Sequence, residues 1–156
     1  MKELLLTDQQ AKDLIEIIKT IAKQHNVTLS SKSSGEIDIV GERNTRFILN
    51  YFYSENNKVF NFRETDHNYT LIRINLNNKF HKNADGEKIY GNRINIFSEE
   101  EYFQKADDIT HCRTYPLPFF GISNSDDFLK IISELFICIN VNNPNNASIK
   151  IQEDLV

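Results

Sequence analysis

The sequence predicts an α+β domain, in which a mainly antiparallel sheet of about five to seven strands is flanked by an N-terminal and a C-terminal amphipathic helix. Apolar residues recur with a helical period near each end of the chain, whereas the middle carries short segments of alternating character. The chain has 156 residues, of which 40% are hydrophobic and 26% charged. This size and balance suit one buried core, so residues 1–156 are predicted to form a single domain.

The first helix is predicted over residues 7–25. Thr7 and Gln10 have the spacing of a capping box at its start. Apolar residues then fall at i, i+3, i+4 and i+7 positions, namely Ala11, Leu14, Ile15, Ile18, Ile21 and Ala22. His25 falls at the predicted C-terminal end, where a positive charge complements the helix dipole. We therefore interpret His25 as a capping residue rather than a catalyst.

Strands are predicted between the helices, near residues 36–40, 45–54, 58–63, 69–76, 89–97 and 111–116. Turn-forming residues at 55–57 and 83–86 favour antiparallel hairpins. The acidic segment 98–110 has no clear period and is predicted to be an exposed loop. Asn124 or Ser125 is expected to cap a second helix that packs on the sheet through Phe128, Ile132, Leu135, Phe136 and Ile139. Ile149 and Ile151 suggest a short closing strand.

The composition and the motifs of the sequence argue against several classes of protein. No apolar run approaches the roughly 18 residues of a membrane-spanning helix, and the N-terminus has no secretory pattern, so a cytoplasmic protein without membrane contact is expected. Cys112 and Cys138 lack the spacing of metal ligands and are predicted to be free, mostly buried thiols. A net charge of −4 disfavours a protein that coats DNA. The sequence has no phosphate-binding loop or dinucleotide fingerprint, so neither a cofactor nor a metal is expected.

Four segments give the chain a recognisable order of landmarks: Leu6–Ala11, Leu71–Leu76, His81–Gly86 and Tyr115–Pro118. They resemble an uncharacterised family of small bacterial and phage proteins. In that family an arginine-bearing strand leads into a turn similar to His-Arg-Asn-Pro-Asp-Gly, and a following strand carries His-Leu-His. Here that strand reads Arg93-Ile94-Asn95, and Ala84 stands at the position of the proline. The resemblance implies the fold and a mobile-element setting, and it implies no reaction.

The segment 71–97 contains the most promising group of polar residues. The strand period of two places Arg73, Asn75, Arg93 and Asn95 on the face opposite the apolar residues. Between residues 71 and 93, five basic side chains outnumber two acidic ones, and the basic set is Arg73, Lys79, Lys82, Lys88 and Arg93. His81, Phe80 and Tyr90 lie among them. This pattern is typical of a patch that binds phosphate and stacks bases, and equally of the solvated face of an ordinary hairpin.

Other candidate sites are weaker. Adjacent residues on a strand point to opposite faces, so His111 is not expected to activate Cys112 as a nucleophile. His67 is interpreted as a surface imidazole in a turn. The acidic residues Glu99, Glu100 and Glu101 lack the ligand spacing of a calcium loop, but they could imitate phosphates and bind a basic surface of another protein.

Two functions are predicted from these observations. The first is a non-enzymatic protein of phage or mobile-element origin that binds a protein partner, for example an anti-CRISPR inhibitor of host defence. Its binding residues would be drawn from the hairpin and the acidic segment, namely Arg73, Asn75, Lys79, His81, Lys82, Arg93, Asn95, Glu99, Glu100 and Glu101. The alternative is a ribonuclease-type toxin or RNA-binding protein, with His81 as general acid or base and with Arg73 and Arg93 on the phosphate. The oligomeric state is left open.

Overall fold

The computed structural model describes residues 1–152 and contains three α-helices, α1 (Asp8–Glu16), α2 (Glu99–Lys105) and α3 (Phe128–Cys138). The strands are β1 (Lys19–Ile21), β2 (His25–Leu29), β3 (Ser33–Gly41), β4 (Arg46–Tyr53), β5 (Lys58–Glu64), β6 (Thr70–Leu76), β7 (Phe80–Lys82), β8 (Lys88–Tyr90), β9 (Arg93–Phe97), β10 (Cys112–Pro116) and β11 (Ala147–Ile151). Among residues 1–152, no helix is long and apolar enough to cross a membrane.

Seven strands form the main sheet, in the order β1-β3-β4-β5-β6-β9-β10, and every neighbouring pair is antiparallel. Two small sheets accompany it, because β2 pairs with β11 in parallel and β7 pairs with β8 as an antiparallel hairpin. The predicted α+β class and flanking helices are therefore confirmed. The predicted closing strand is present as β11, and its partner β2 begins at His25, the last residue of the segment that was predicted to be helical.

One face of the main sheet forms the hydrophobic core. The alternation of β4 and β5 places Phe47, Leu49, Phe60 and Phe62 on this face, each at most 1% exposed. Helices α1 and α3 supply the covering layer, and the ring of Phe128 lies 4.6 Å from that of Phe60. The residues predicted to pack α3 on the sheet are all buried. The cap of α3 is Asp127 rather than Asn124 or Ser125, and its carboxylate accepts hydrogen bonds from the backbone of Leu129 and Lys130.

The predicted helix over residues 7–25 is correct only in its first half. The capping box of Thr7 and Gln10 is present, but α1 ends at Glu16. The cause is Lys19, which is fully buried and donates hydrogen bonds from Nζ to the carbonyls of Ile15, Ile17 and Ile139. Its backbone N–H is bonded to the carbonyl of Asn140, so it no longer supports α1.

His25 is therefore not a helix cap. It begins β2, and its Nε2 atom lies 2.8 Å from the hydroxyl oxygen of Tyr51.

The acidic segment is also different from the prediction, because residues 99–105 form helix α2 instead of an exposed loop. Ser98 caps this helix by accepting a hydrogen bond from the backbone of Glu101, and acidic residues in the first turn complement the helix dipole. Glu101 is only 1% exposed. Its carboxylate accepts a hydrogen bond from the backbone of Ala84 and lies 3.6 Å from Arg113. Glu101 therefore connects α2 to the turn of the β7–β8 hairpin and to β10.

Candidate functional site

A row of polar residues crosses the second face of the main sheet, opposite the core. The strand register aligns one residue from each of six consecutive strands, β3 to β10, and the row reads Glu36, Asn50, Asn61, Arg73, Asn95 and Thr114. The row includes Arg73 and Asn95, which the sequence predicts to lie on one polar face of β6 and β9. It lies on the rigid centre of the sheet rather than on a loop.

Most side chains of this row are hydrogen-bonded to protein partners. Asn50 donates to Glu36 over 2.9 Å, and Asn95 Oδ1 accepts from Thr114 over 3.0 Å. Arg73 differs, because within residues 1–152 its guanidinium has no hydrogen-bond acceptor and no ion pair. It is half-buried, and burial lowers its pKa. Arginine stays protonated at neutral pH and carries five donors, so this site lacks an acceptor for a partly desolvated cation.

Arg73 lines a small pocket between the sheet, the β7–β8 hairpin and the segment that leads into β10. The pocket has a volume of about 210 Å³ and is lined by Thr70, Arg73, His81, Asn95, Ile109, Thr110, His111 and Cys112. Among the described residues, none of its lining side chains is a carboxylate. Two of the lining hydroxyls donate elsewhere, from Thr70 to Asn61 and from Thr110 to Asp107. The other polar groups of the lining are a guanidinium, an amide and two imidazoles, which together favour an anionic ligand.

His81 enters the pocket from β7. The period of two turns His81 and Ile89 towards the sheet, while their neighbours on the hairpin face outward. Its Nε2 atom is buried and has no hydrogen-bond partner within residues 1–152. Burial lowers the pKa of His81, the positive charges of Lys105 and Arg93 lower it further, and the carboxylate of Glu101 opposes them. The imidazole is consequently neutral at neutral pH.

His111 also lines the pocket, and its ring is stacked on two aromatic rings. Its ring stacks on Tyr102 at 5.0 Å and on Tyr69 at 4.6 Å. Burial lowers the pKa of His111, while a backbone contact with Ile109 and the charge of Asp107 raise it. Charges of both signs therefore act on His81, whereas the charge that acts on His111 is the carboxylate of Asp107.

Cys112 lines the same pocket but is not suited to nucleophilic chemistry. Its thiol is buried, and burial raises its pKa to about 12, so the reactive thiolate is not formed at neutral pH. Its Sγ atom lies 3.5 Å from the carbonyl oxygen of Thr70. Both cysteines are free thiols. Within residues 1–152, no three His, Cys, Asp or Glu side chains converge in a way that could hold a metal ion.

Residues 6–141 match a family of unknown function, DUF6978. The chain belongs to this family. No curated protein and no solved structure matches it. The DUF6978 region contains the main sheet, the β7–β8 hairpin, the whole pocket and α3, whereas β11 lies outside it. Membership confirms the resemblance to an uncharacterised family, and it assigns no activity to the pocket.

The residues predicted from sequence for this DUF6978 member divide into three groups. Arg73, His81 and Asn95 meet in the pocket. Asn75 and Arg93 share the predicted face but are each 7% exposed. The third group lies outside the pocket and consists of Lys79, Lys82, Glu99, Glu100 and Glu101.

Arg93 has a structural role that the sequence did not reveal. Its Nη1 atom donates to the side-chain oxygen of Asn77 over 2.7 Å and to the carbonyl of Gly91 over 2.9 Å, so it fastens the base of the hairpin to β9. The turn of the hairpin is attached separately. Asn83 and Thr114 exchange two hydrogen bonds of 2.9 Å, which dock this turn on β10.

His111 is the pocket residue that sequence reasoning missed. The argument about alternating strand faces was used to separate it from Cys112, yet both residues line the pocket, because His111 precedes β10. Residue 111 reaches Arg73 only because β10 lies beside β9 and β9 beside β6. The only sequence signal was a second imidazole at the start of a predicted strand, and that signal is not specific.

Proposed function

We propose that the pocket around Arg73 binds a phosphodiester of RNA and cleaves the chain by general acid–base catalysis with His81 and His111. The observation that carries this proposal is the half-buried guanidinium of Arg73, which has no acceptor within residues 1–152 and lies in one pocket with two imidazoles. A phosphate supplies the missing acceptor oxygens in the fork geometry that arginine prefers. Asn95 adds an amide donor to the same side of the pocket.

The chemistry uses the RNA's own 2′-hydroxyl as the nucleophile. A general base removes the proton of that hydroxyl, the oxygen forms a bond to phosphorus, and the bond from phosphorus to the 5′-oxygen breaks. A general acid protonates the departing oxygen, so the products are a 2′,3′-cyclic phosphate and a 5′-hydroxyl. Burial and the positive charges of Lys105 and Arg93 favour the neutral form of His81, which suits the role of base, and burial lowers the pKa of His111, so that it gives up a proton readily in the role of acid.

Cleavage of a labelled single-stranded oligoribonucleotide tests the proposal. We expect products that end in 2′,3′-cyclic phosphate, and we expect His81→Ala and His111→Ala each to lower the rate by about 10²- to 10⁴-fold. His67→Asn is the matched control, because His67 is an exposed imidazole outside the pocket and its replacement should leave the rate unchanged. Intact RNA with the wild-type protein, or full activity of either pocket variant with an unaltered unfolding curve, would contradict this function.

A non-enzymatic inhibitor of phage or mobile-element origin, the first function predicted from the sequence, becomes the second candidate. The acidic segment supports it less than the sequence suggested, because all five carboxylates between residues 99 and 108 accept hydrogen bonds from within the protein. The observation in its favour is on α3, where Leu129 and Ile137 are 37% and 79% exposed. Co-purification of one stoichiometric partner protein, lost on Ile137→Glu, would favour this candidate over cleavage of RNA.

A further inference from the structure

The outward face of the β7–β8 hairpin carries two aromatic rings and two lysines. The register pairs Phe80 with Tyr90 and Lys82 with Lys88, and all four side chains point away from the sheet. Phe80 is 51% exposed and Tyr90 is 64% exposed, although rings of this size are normally drawn into a core. This outward face is distinct from the pocket, which receives only the inward-facing His81 from the hairpin.

The aromatic pair forms a preorganised platform. The ring centroids of Phe80 and Tyr90 are 5.3 Å apart and the planes are inclined by 37°, so the rings support each other and leave ring surface open to solvent. The ammonium of Lys88 lies 5.3 Å from the centroid of Phe80. A flat, exposed ring beside a cation is the arrangement on which an unpaired nucleobase stacks while its phosphate meets the positive charge.

The charges of this face favour an anionic partner. Lys82 and Lys88 lie directly opposite each other, and like charges in a cross-strand pair repel. A bound phosphate would relieve that repulsion. The nearby acids do not neutralise these lysines, because Asp85 and Glu87 are directed to Arg113, at 2.9 Å and 3.8 Å.

We infer that the outward face of the β7–β8 hairpin is a second binding site, which stacks unpaired bases of single-stranded RNA on Phe80 and Tyr90 and holds the adjoining phosphates with Lys82 and Lys88. This inference deepens the proposed function and rests on it for the choice of RNA as ligand. It adds a preference for single strands, because bases paired in a duplex cannot lay a free face on these rings.

The test is binding of a fluorescent, fully 2′-O-methylated single-stranded RNA, which lacks the attacking hydroxyl and reports binding without cleavage. We expect the double variant Phe80→Leu/Tyr90→Leu to bind about tenfold more weakly than the wild type. Phe103→Leu is the matched control, because Phe103 is 49% exposed on α2 and lies outside the hairpin. Its affinity should equal that of the wild type, and a duplex of the same length should bind more weakly than the single strand.

A second double variant distinguishes a loss of RNA contacts from local unfolding of the hairpin. Lys82→Gln/Lys88→Gln keeps both rings and should reduce the slope of log affinity against log salt by about 1.4, since each single-strand phosphate contact contributes about 0.7. Equal affinities for the aromatic double variant and Phe103→Leu, together with an unchanged salt slope, would overturn the inference. Tighter binding of an acidic protein than of RNA to the outward face of the β7–β8 hairpin would also overturn the inference.

Failure of the inference and failure of the proposed function give different results. Binding of the methylated RNA that depends on Phe80 and Tyr90, without any cleavage of ordinary RNA, would keep the second site and refute catalysis. Cleavage that depends on His81, with no effect of the aromatic double variant on binding or rate, would keep catalysis and refute the second site. Neither binding nor cleavage would refute both.

Discussion

Arg73 and Arg93 project from neighbouring strands on the same face of the sheet, yet their surroundings are opposite. Arg93 is 7% exposed and donates to Asn77 and Gly91, so its guanidinium holds the base of the hairpin against β9. Arg73 is half-buried without an acceptor in residues 1–152. A half-buried charge that the protein itself leaves without an acceptor costs some stability, and such a cost is typical of a site that a ligand completes.

This difference predicts opposite effects of the same substitution. Arg93→Met should lower the free energy of unfolding by about 2–3 kcal/mol, because buried acceptors lose their donor. Arg73→Met should leave it unchanged or raise it by up to about 1 kcal/mol, because no protein hydrogen bond is lost. Urea unfolding measures both values. A loss for Arg73→Met as large as that for Arg93→Met would mean that Arg73 is structural and would remove the basis of the proposed pocket.

The two pocket imidazoles predict how cleavage depends on pH. Burial lowers the pKa of both His81 and His111 below the usual value of 6.5. The base must be neutral and the acid protonated, so the rate should be highest on the acidic side of neutrality and should fall as His111 loses its proton. The groups that face His81 are Lys105, Arg93 and Glu101, and Asp107 faces His111.

Cleavage rates between about pH 5 and pH 8 measure this dependence. His81→Ala should remove the acidic limb of the profile, and the profile of His67→Asn should match that of the wild type. A rate that continues to rise above neutral pH would contradict the assignment of a protonated His111 as the acid.

At the scale of elements, the side-chain amine of Lys19 donates hydrogen bonds to the C-terminal ends of both α1 and α3. Lys19 donates to Ile15 and Ile17 at the end of α1 and to Ile139 at the end of α3. The last carbonyls of a helix lack intrahelical donors, and the Nζ group of Lys19 supplies them, although burial lowers the pKa of this amine to about 7. The aromatic rings of Phe47 and Phe62 lie 5.2 Å and 5.7 Å from the same ammonium.

Lys19→Met should therefore lower the free energy of unfolding by about 2–4 kcal/mol, because carbonyls at the ends of both helices would stay buried without a donor. Lys23→Met is the control, since Lys23 is exposed between β1 and β2 and its replacement should cost less than about 0.5 kcal/mol. Equal urea midpoints for the two variants would show that the ammonium of Lys19 does not stabilise the helix ends.

Helices α1 and α2 illustrate the limits of local patterns. The period of α1 continued through Ile18 and Ile21, but Ile18 is 51% exposed and Ile21 lies in a strand. A strand that alternates between buried and exposed residues can continue a helical pattern over a few residues, so the sequence alone could not place the boundary. Helix α2 is short and has no period, and the informative signal was the Ser98-to-Glu101 spacing of a helix N-terminus.

At the scale of the whole molecule, the two faces of the main sheet differ in how completely other elements cover them. The apolar face is covered by α1 and α3 and forms the core. The polar face is covered only in part, by the β7–β8 hairpin and α2, and the pocket is the gap that this partial cover leaves beside Arg73. The net charge of −4 gave no indication of this site, because a donor-rich pocket depends on where charges lie rather than on their sum.

The sequence by itself determined the α+β class, the start of α1, the turns of the β4–β5 and β7–β8 hairpins and the face shared by Arg73, Asn75, Arg93 and Asn95. These features depend on period, turn chemistry and caps, which act over a few residues. Only the tertiary structure decided that α1 stops at Glu16, that Arg93 is buried and that His111 joins His81 beside Arg73. Those outcomes depend on contacts between residues far apart in the chain, such as Lys19 with Ile139, and local patterns carry no information about such contacts.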